Sequence, residues 1–293
     1  MRNLKKILAL VLALVMSLSL VTVANAAIDF DDVAEIEHKE AVDVMTAIGV
    51  IDGMTADEFG PEGTLTREQA AKIVSYMLLG SKADKLGAVE TGFADVASTR
   101  WSAPYIAYCA SLGILDGAGD GNFYPAGQLT GYAFSKMLLC AIGYGVNKEY
   151  TGANWMLNVA RDGIMIDLFA DATVEDAPIS RDNAVQIAFN ALDVPLMTQS
   201  GYGTFTQYVI NDGYSSTSGN TNVKKTLLSE NHSIVKLQGI IESSTDSTSA
   251  STNATDKVYV NVTNSLYNKF KIGSRNMEVG DSDAMKYVGK KAI

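Results

Sequence analysis

The sequence predicts a mainly α-helical fold of three helix-loop-helix modules, followed by a linker and a small β-rich C-terminal segment. Three observations lead there. Gly49-Val50-Ile51-Asp52-Gly53, Phe59, Pro61 and Leu65-Thr66-Arg67 return 64 residues later as Gly113-Ile114-Leu115-Asp116-Gly117, Phe123, Pro125 and Leu129-Thr130-Gly131. A weaker third copy follows about 50 residues on, as Gly163-Ile164-Met165 and Pro178-Ile179-Ser180-Arg181. The apolar residues around these blocks recur at helical spacing, whereas those near the C-terminus alternate as in strands. A short unit repeated in this way buries its apolar face against its siblings and offers binding surface at the seams.

The chain opens with the pattern of a secretory signal over residues 1–26. Arg2, Lys5 and Lys6 form a basic stretch, an apolar run follows from Ile7 to about Val23, and Ala24-Asn25-Ala26 supplies the small-x-small cleavage triplet. The competing reading is a membrane anchor, since the run approaches the roughly 17–20 residues that a spanning helix needs. Ser17, Ser19, Thr22 and the cleavage triplet favour removal, with the mature chain starting near Ala27. No later apolar run is long enough to span a bilayer, so no membrane partner is expected after cleavage.

The formal charge of −10 argues against nucleic acid as a partner, because phosphate neutralisation needs a basic surface. An anionic ligand then requires a local cationic site. Two cysteines, Cys109 and Cys140, are too few for a disulfide framework. Both fall at apolar helix positions and read as small buried hydrophobes, although the exported compartment permits a disulfide.

Each copy reads as helix, loop, helix. In the second, Tyr105, Ile106, Cys109 and Leu112 mark one face of a helix over 101–112, which Gly113 ends at the C′ position. A glycine-rich turn follows from Asp116 to Asn122, with Phe123 and Pro125 packing it back. The next helix runs from Thr130 to about Ile142. The first copy matches, with helices over 38–48 and from Thr66 through Leu78. The Asp/Gly/Asn turn is not an EF-hand loop, because position 12 counted from Asp116 is Gly127 rather than an acid. No metal and no cofactor is expected.

Thr66-Arg67-Glu68-Gln69 fits a capping box, and Ser180-Arg181-Asp182-Asn183 keeps the cap. Capping alone does not call for arginine directly after the cap, where a cation opposes the helix dipole. Arg67 and Arg181 at matching positions therefore point to an anion held by guanidinium and free amides together. The plain alternative is a solvated arginine at a helix end.

These residues resemble the S-layer homology module. The resemblance rests on Phe30-Asp31-Asp32-Val33 and Phe93-Ala94-Asp95-Val96, on Trp101, on the Gly-Ile-Leu-Asp-Gly run with Asp-Gly-Asn-Phe-Tyr-Pro, and on Leu65-Thr66-Arg67-Glu68 and Ile179-Ser180-Arg181-Asp182. It covers roughly residues 28–194, as modules 27–86, 87–147 and a divergent 148–198. The resemblance implies three modules around a pseudo-threefold axis, with ligand grooves between them. It implies a secondary cell-wall polymer attached to peptidoglycan as partner, recognised through a terminal, often pyruvylated, sugar. A ketal carboxylate there would suit an arginine at a helix N-terminus.

Carried onto this chain, the resemblance gives unequal grooves. Thr66 and Arg67 would work with Asp95 and Trp101, and Gly117 would allow close backbone approach. Ser180 and Arg181 would close against Asp32, with Glu37 or His38 where Trp101 stands in the second copy. In the second copy Gly131 replaces the arginine. Trp155, eight residues before Gly163 as Tyr105 is before Gly113, is expected in the core.

Residues 199–230 read as linker, rich in Gly, Ser, Thr and Asn. Residues 231–293 read as β-rich, either a truncated domain or a small accessory one: 234–241 and 257–262 alternate as strands around a polar loop, and 267–272 add a third. The leading functional reading is a non-catalytic exported protein of a bacterial, Gram-positive type cell wall, anchored noncovalently to the wall polysaccharide. The alternatives are an anchored wall-active glycan hydrolase whose catalytic part is missing, and an S-layer lattice subunit with lattice neighbours as partners. The two histidines, His38 and His232, stand in different regions, so no catalytic residue is assigned.

Overall fold

The computed structural model describes residues 30–200, 207–212, 224–243, 257–264, 272–278 and 290–292. The signal segment 1–26, the polar loop between the first two tail strands and most of 267–272 lie outside them. Six helices carry the three copies in pairs: α1 (Lys39–Ala47) and α2 (Arg67–Leu79), α3 (Ala103–Ser111) and α4 (Gly131–Ala141), α5 (Trp155–Met165) and α6 (Arg181–Leu192). A seventh, α7 (Leu227–Asn231), follows later. No helix among the described residues is long and apolar enough to cross a membrane.

The second helix of every copy starts as its sequence requires. The Thr66 hydroxyl accepts from the Gln69 amide and the Gln69 side chain returns to the Thr66 amide, completing the capping box. Thr130 and Ser180 cap α4 and α6 through the amides of Ala133 and Asn183. Gly113, at φ 69°, follows α3 in the left-handed conformation expected of C′.

The copies interlock by pairing a second helix with the next first helix: α2 packs on α3, α4 on α5, and α6 on α1. The second helices also meet, α4 touching both α2 and α6. Just before them, three residues close a ring of backbone hydrogen bonds. Leu129 N–H donates to Leu65 O at 2.9 Å, Ile179 to Leu129 O at 3.0 Å, and Leu65 to Ile179 O at 3.0 Å. All three side chains are buried in one core that runs through every copy. Burying each contributes about 2 kcal/mol, and the ring satisfies amides that the core would otherwise strand.

The loop of each of the first two copies is tied by an aspartate. Asp32 Oδ1 and Oδ2 accept from the Phe59 and Gly60 amides at 3.0 and 2.7 Å, and Asp95 does the same for Phe123 and Tyr124 at 2.8 and 2.7 Å. Phe30 packs on Phe59 and Phe93 on Phe123, with ring centroids 5.7 and 5.4 Å apart.

Part of the stretch expected as linker is built onto the helices. Strands β1 (Met197–Ser200) and β2 (Gln207–Ile210) form an antiparallel hairpin, pinned where the Met197 amide donates to Ile142 O at 2.9 Å. Helix α7 buries Leu227, and Asn231 Nδ2 donates to Met77 O at the end of α2. The tail is a four-stranded antiparallel sheet of β3 (Gln238–Ser243), β4 (Lys257–Asn264), β5 (Gly273–Glu278) and β6 (Lys291–Ala292), ordered β5-β4-β3-β6. Its buried face is small: Ile241, Val260 and Val262. Strand β5 begins just past the stretch 267–272 that alternation singled out.

Candidate functional site

Two clefts form where an arginine at the start of a second helix enters the loop of the following copy. Arg67 Nε donates to Phe123 O at 2.8 Å and Nη2 to Asp116 O at 2.9 Å, with the guanidinium 4.4 Å from the Phe123 ring centroid. Arg181 repeats this on the first copy: Nε to Phe59 O at 3.1 Å, Nη2 to Asp52 O at 2.8 Å, and 4.9 Å to the Phe59 ring. Backbone pairs hold each junction, from Arg67 and Glu68 amides to Gly127 and Pro125 carbonyls, and from Arg181 and Asp182 to Gly63 and Pro61.

Burial pulls both guanidiniums below the ordinary arginine value. Asp95 and Asp116 oppose the shift at Arg67, as Asp52 and Asp32 do at Arg181. Two of the guanidinium nitrogens are thus spent on carbonyls. Among the described residues Nη1 of each has no hydrogen-bond partner, so that edge can take an anion.

The cleft at Arg67 has a volume of ≈ 340 Å³ and includes Asp116, Gly117, Lys136, Tyr150 and Trp155 in its lining. The cleft at Arg181 has ≈ 250 Å³ and includes Asp52, Gly53, Gln69, Lys72 and Trp101. Each therefore draws an arginine from one copy, a loop and a lysine from the next, and a tryptophan from the one after.

The expected residues are accordingly regrouped. Thr66 and Ser180 serve as caps, leaving their helix-start amides to the neighbouring loop. Asp95 and Asp32 lie at the right loops, but their carboxylates hold backbone amides of those loops. Trp101, 52% exposed, lies in the cleft of Arg181 rather than that of Arg67. The aromatic beside Arg67 is Trp155, half-buried against the core but open to the cleft, so the core position expected for it is only half the answer. Gly117 lines the Arg67 cleft, yet a Cβ there would stand 2.7 Å from the Phe93 ring and 2.8 Å from Asn122 O, so packing already demands glycine.

Lys72 and Lys136 were missed. They stand 64 residues apart, paired with Asp52 at 2.9 Å and Asp116 at 3.9 Å, which recur at the same offset. That shared offset was the available signal.

The third junction has glycine in place of the arginine. Gly131 N–H donates to Ala177 O, and a Cβ on Gly131 would lie 3.0 Å from both N and O of Glu175. The shortened third loop lies where the other copies place an arginine. Cys109 and Cys140 are both free thiols.

Two segments of the chain, 29–71 and 92–131, match the S-layer homology domain. Curated relatives include bacterial cell-surface and cell-wall proteins. The chain is 26% identical over 204 residues to the middle cell wall protein of Brevibacillus brevis, covering 68% of this chain and 19% of that protein. It is 27% identical over 209 residues to a cell surface protein of Thermoanaerobacter kivui, covering 67% of this chain and 26% of the relative. An uncharacterized cell wall amidase of Bacillus anthracis is 32% identical over 102 residues, 35% of this chain and 18% of its own. The chain thus spans about a quarter or less of these relatives' length. Family match and relatives together support a bacterial cell-surface protein with S-layer homology segments.

Proposed function

We propose that residues 27–198 form three S-layer homology modules around a pseudo-threefold axis, which anchor the exported chain noncovalently to a secondary cell-wall polymer. The cyclic hydrogen bonds of Leu65, Leu129 and Ile179 support the axis. The observation that carries the ligand is the free Nη1 edge of Arg67, set in a cleft with Lys136 and Trp155. A carboxylate-bearing sugar, such as a pyruvylated terminal residue of the polymer, offers an anion for the cations and an apolar ring face for the indole. The Arg181 cleft with Lys72 and Trp101 is the second site, and the junction at Gly131 is not one. The protein acts as a non-catalytic anchor, exported after removal of residues 1–26 to a wall of Gram-positive type.

Residues 27–198 should sediment with purified wall sacculi and stay in solution once the secondary polymer has been stripped from them. Equal retention on stripped walls would refute this ligand. The amidase among the relatives supports a second reading, in which the same modules carry a wall-active enzyme. Sugars or peptides released from wall glycan by the full-length protein would favour it.

A further inference from the structure

The junctions on either side of the first copy are fastened by different chemistry. Glu68, directly after Arg67 and buried, accepts from Arg100 Nε and Nη2 at 2.8 Å each and from Ser102 Oγ at 2.6 Å. Asp182, directly after Arg181 and 5% exposed, is its counterpart. The counterpart of Ser102 is His38, 64 residues earlier. His38 gives its backbone amide to Asp182 Oδ1 at 3.3 Å and places Nδ1 2.5 Å from Asp182 Oδ2. Its Nε2 meets the carbonyl oxygen of Asp171.

A carboxylate and a carbonyl are both acceptors, and a neutral imidazole has a single N–H. It could serve one of these partners only, setting lone pair against lone pair at the other. The imidazolium alone donates to both. The charged groups around the ring agree: Asp182 on α6, Glu37 beside it with a carboxylate oxygen within 4.8 Å of the His38 and Asp182 ligand atoms, and Asp171 on the loop after α5. Of the nearby cations, Lys39 pairs with Asp43 at 3.1 Å, and the Arg181 guanidinium is turned to Phe59 and Asp52. Among the described residues no arginine plays at Asp182 the part that Arg100 plays at Glu68.

We propose that His38 is a proton-operated latch between the third and first copies. Doubly protonated, it joins Asp182 to the Asp171 carbonyl; on losing a proton it lets one of them go. The ring then joins both partners in mild acid and only one of them as pH rises. The Glu68–Arg100 junction has no such response. Because Asp182 is covalently next to Arg181, release would also disturb the Arg181 cleft. That consequence rests on the polymer-binding reading above, whereas the protonation state of the ring does not.

The test is ¹⁵N NMR of the histidine rings in the full chain, with His232→Gln to assign the two signals, beside thermal melts across pH. Both His38 nitrogens should carry protons in mild acid and one should lose its proton toward alkaline pH. The melting temperature of the wild type should exceed that of His38→Gln by about 2–4 °C in mild acid, and the gap should vanish at alkaline pH. A ring with one protonated nitrogen throughout, or parallel melting curves for the two proteins, would overturn the latch. So would a Zn²⁺-induced shift of the ring signals with a raised melting temperature, which would put a metal ion on Glu37, His38 and Asp182 instead.

Discussion

Phe123 holds Arg67 from two directions: its carbonyl accepts from Nε at 2.8 Å, and its ring lies 4.4 Å from the guanidinium. A lysine cannot do both, because its ammonium lacks the planar fork. Arg67→Lys should therefore lose most of the binding that Arg67→Ala loses, about tenfold or more in affinity for polymer-bearing sacculi, given roughly 1.5–3 kcal/mol for a hydrogen bond to a charged group. Co-sedimentation at graded protein concentration measures it. Recovery of wild-type affinity by lysine would show that charge alone suffices.

The clefts pair Arg67 with Trp155 and Arg181 with Trp101. Double-mutant cycles should follow that pairing. Arg67→Ala and Trp155→Ala should be non-additive in polymer affinity by about 0.5–3 kcal/mol, and Arg67→Ala and Trp101→Ala should add. Coupling in the second cycle and none in the first would restore the grouping that the resemblance implies.

Gly131 has no room for a side chain. Gly131→Ala should destabilise the protein by about 1–3 kcal/mol in chemical denaturation, through contact with the Glu175 backbone. Gly131→Arg should fail to create a third site, even though it restores the motif of the other copies.

The Asp95 carboxyl is held below the usual carboxylate range. Desolvation works against this, but the amides of Phe123 and Tyr124 outweigh it. A carboxylate with a depressed folded-state value adds stability at neutral pH that disappears as pH falls through that value. Asp95→Asn should lower the melting temperature at pH 7 and flatten its acid dependence below about pH 4. Asp32→Asn should act likewise on the first copy.

Burial pushes the Cys109 and Cys140 thiols up to about 11, which keeps them protonated and unreactive at neutral pH. Ellman's reagent should label Cys109 only on unfolding, and dithiothreitol should leave the melting temperature unchanged. A shift with reductant would reveal a disulfide.

Much of the fold was legible because the start of each second helix carries its own signal: Thr66 with Gln69, Thr130, and Ser180 each precede a run of apolar residues at helical spacing. Alternation marked the strand at 257–264 well and the one at 238–243 four residues too early, since 234–237 alternate without pairing in the sheet. Helix α7 did not, since five residues cannot show a period, and its place depends on Leu227 finding the core. The arginines were readable as a departure from what capping requires. The resemblance set Trp101 beside Arg67, whereas each cleft is lined by the tryptophan of the copy after next, a grouping that depends on how the copies fold back on one another. The closure at Gly131 was readable only as a missing arginine, because its cause is the path of the third loop around Glu175.

Tension from the tail sheet meets α7, tied to Met77 of the first copy, then the hairpin tied to Ile142 of the second, and passes at Pro195 to the third copy. Ile179 in that copy is bonded to Leu65 and Leu129 alike, so a pull cannot peel the copies off one by one as it would a string of separate domains. The pull is shared by all three and met by one collective yield point, a mechanical property suited to a tether at an exposed surface.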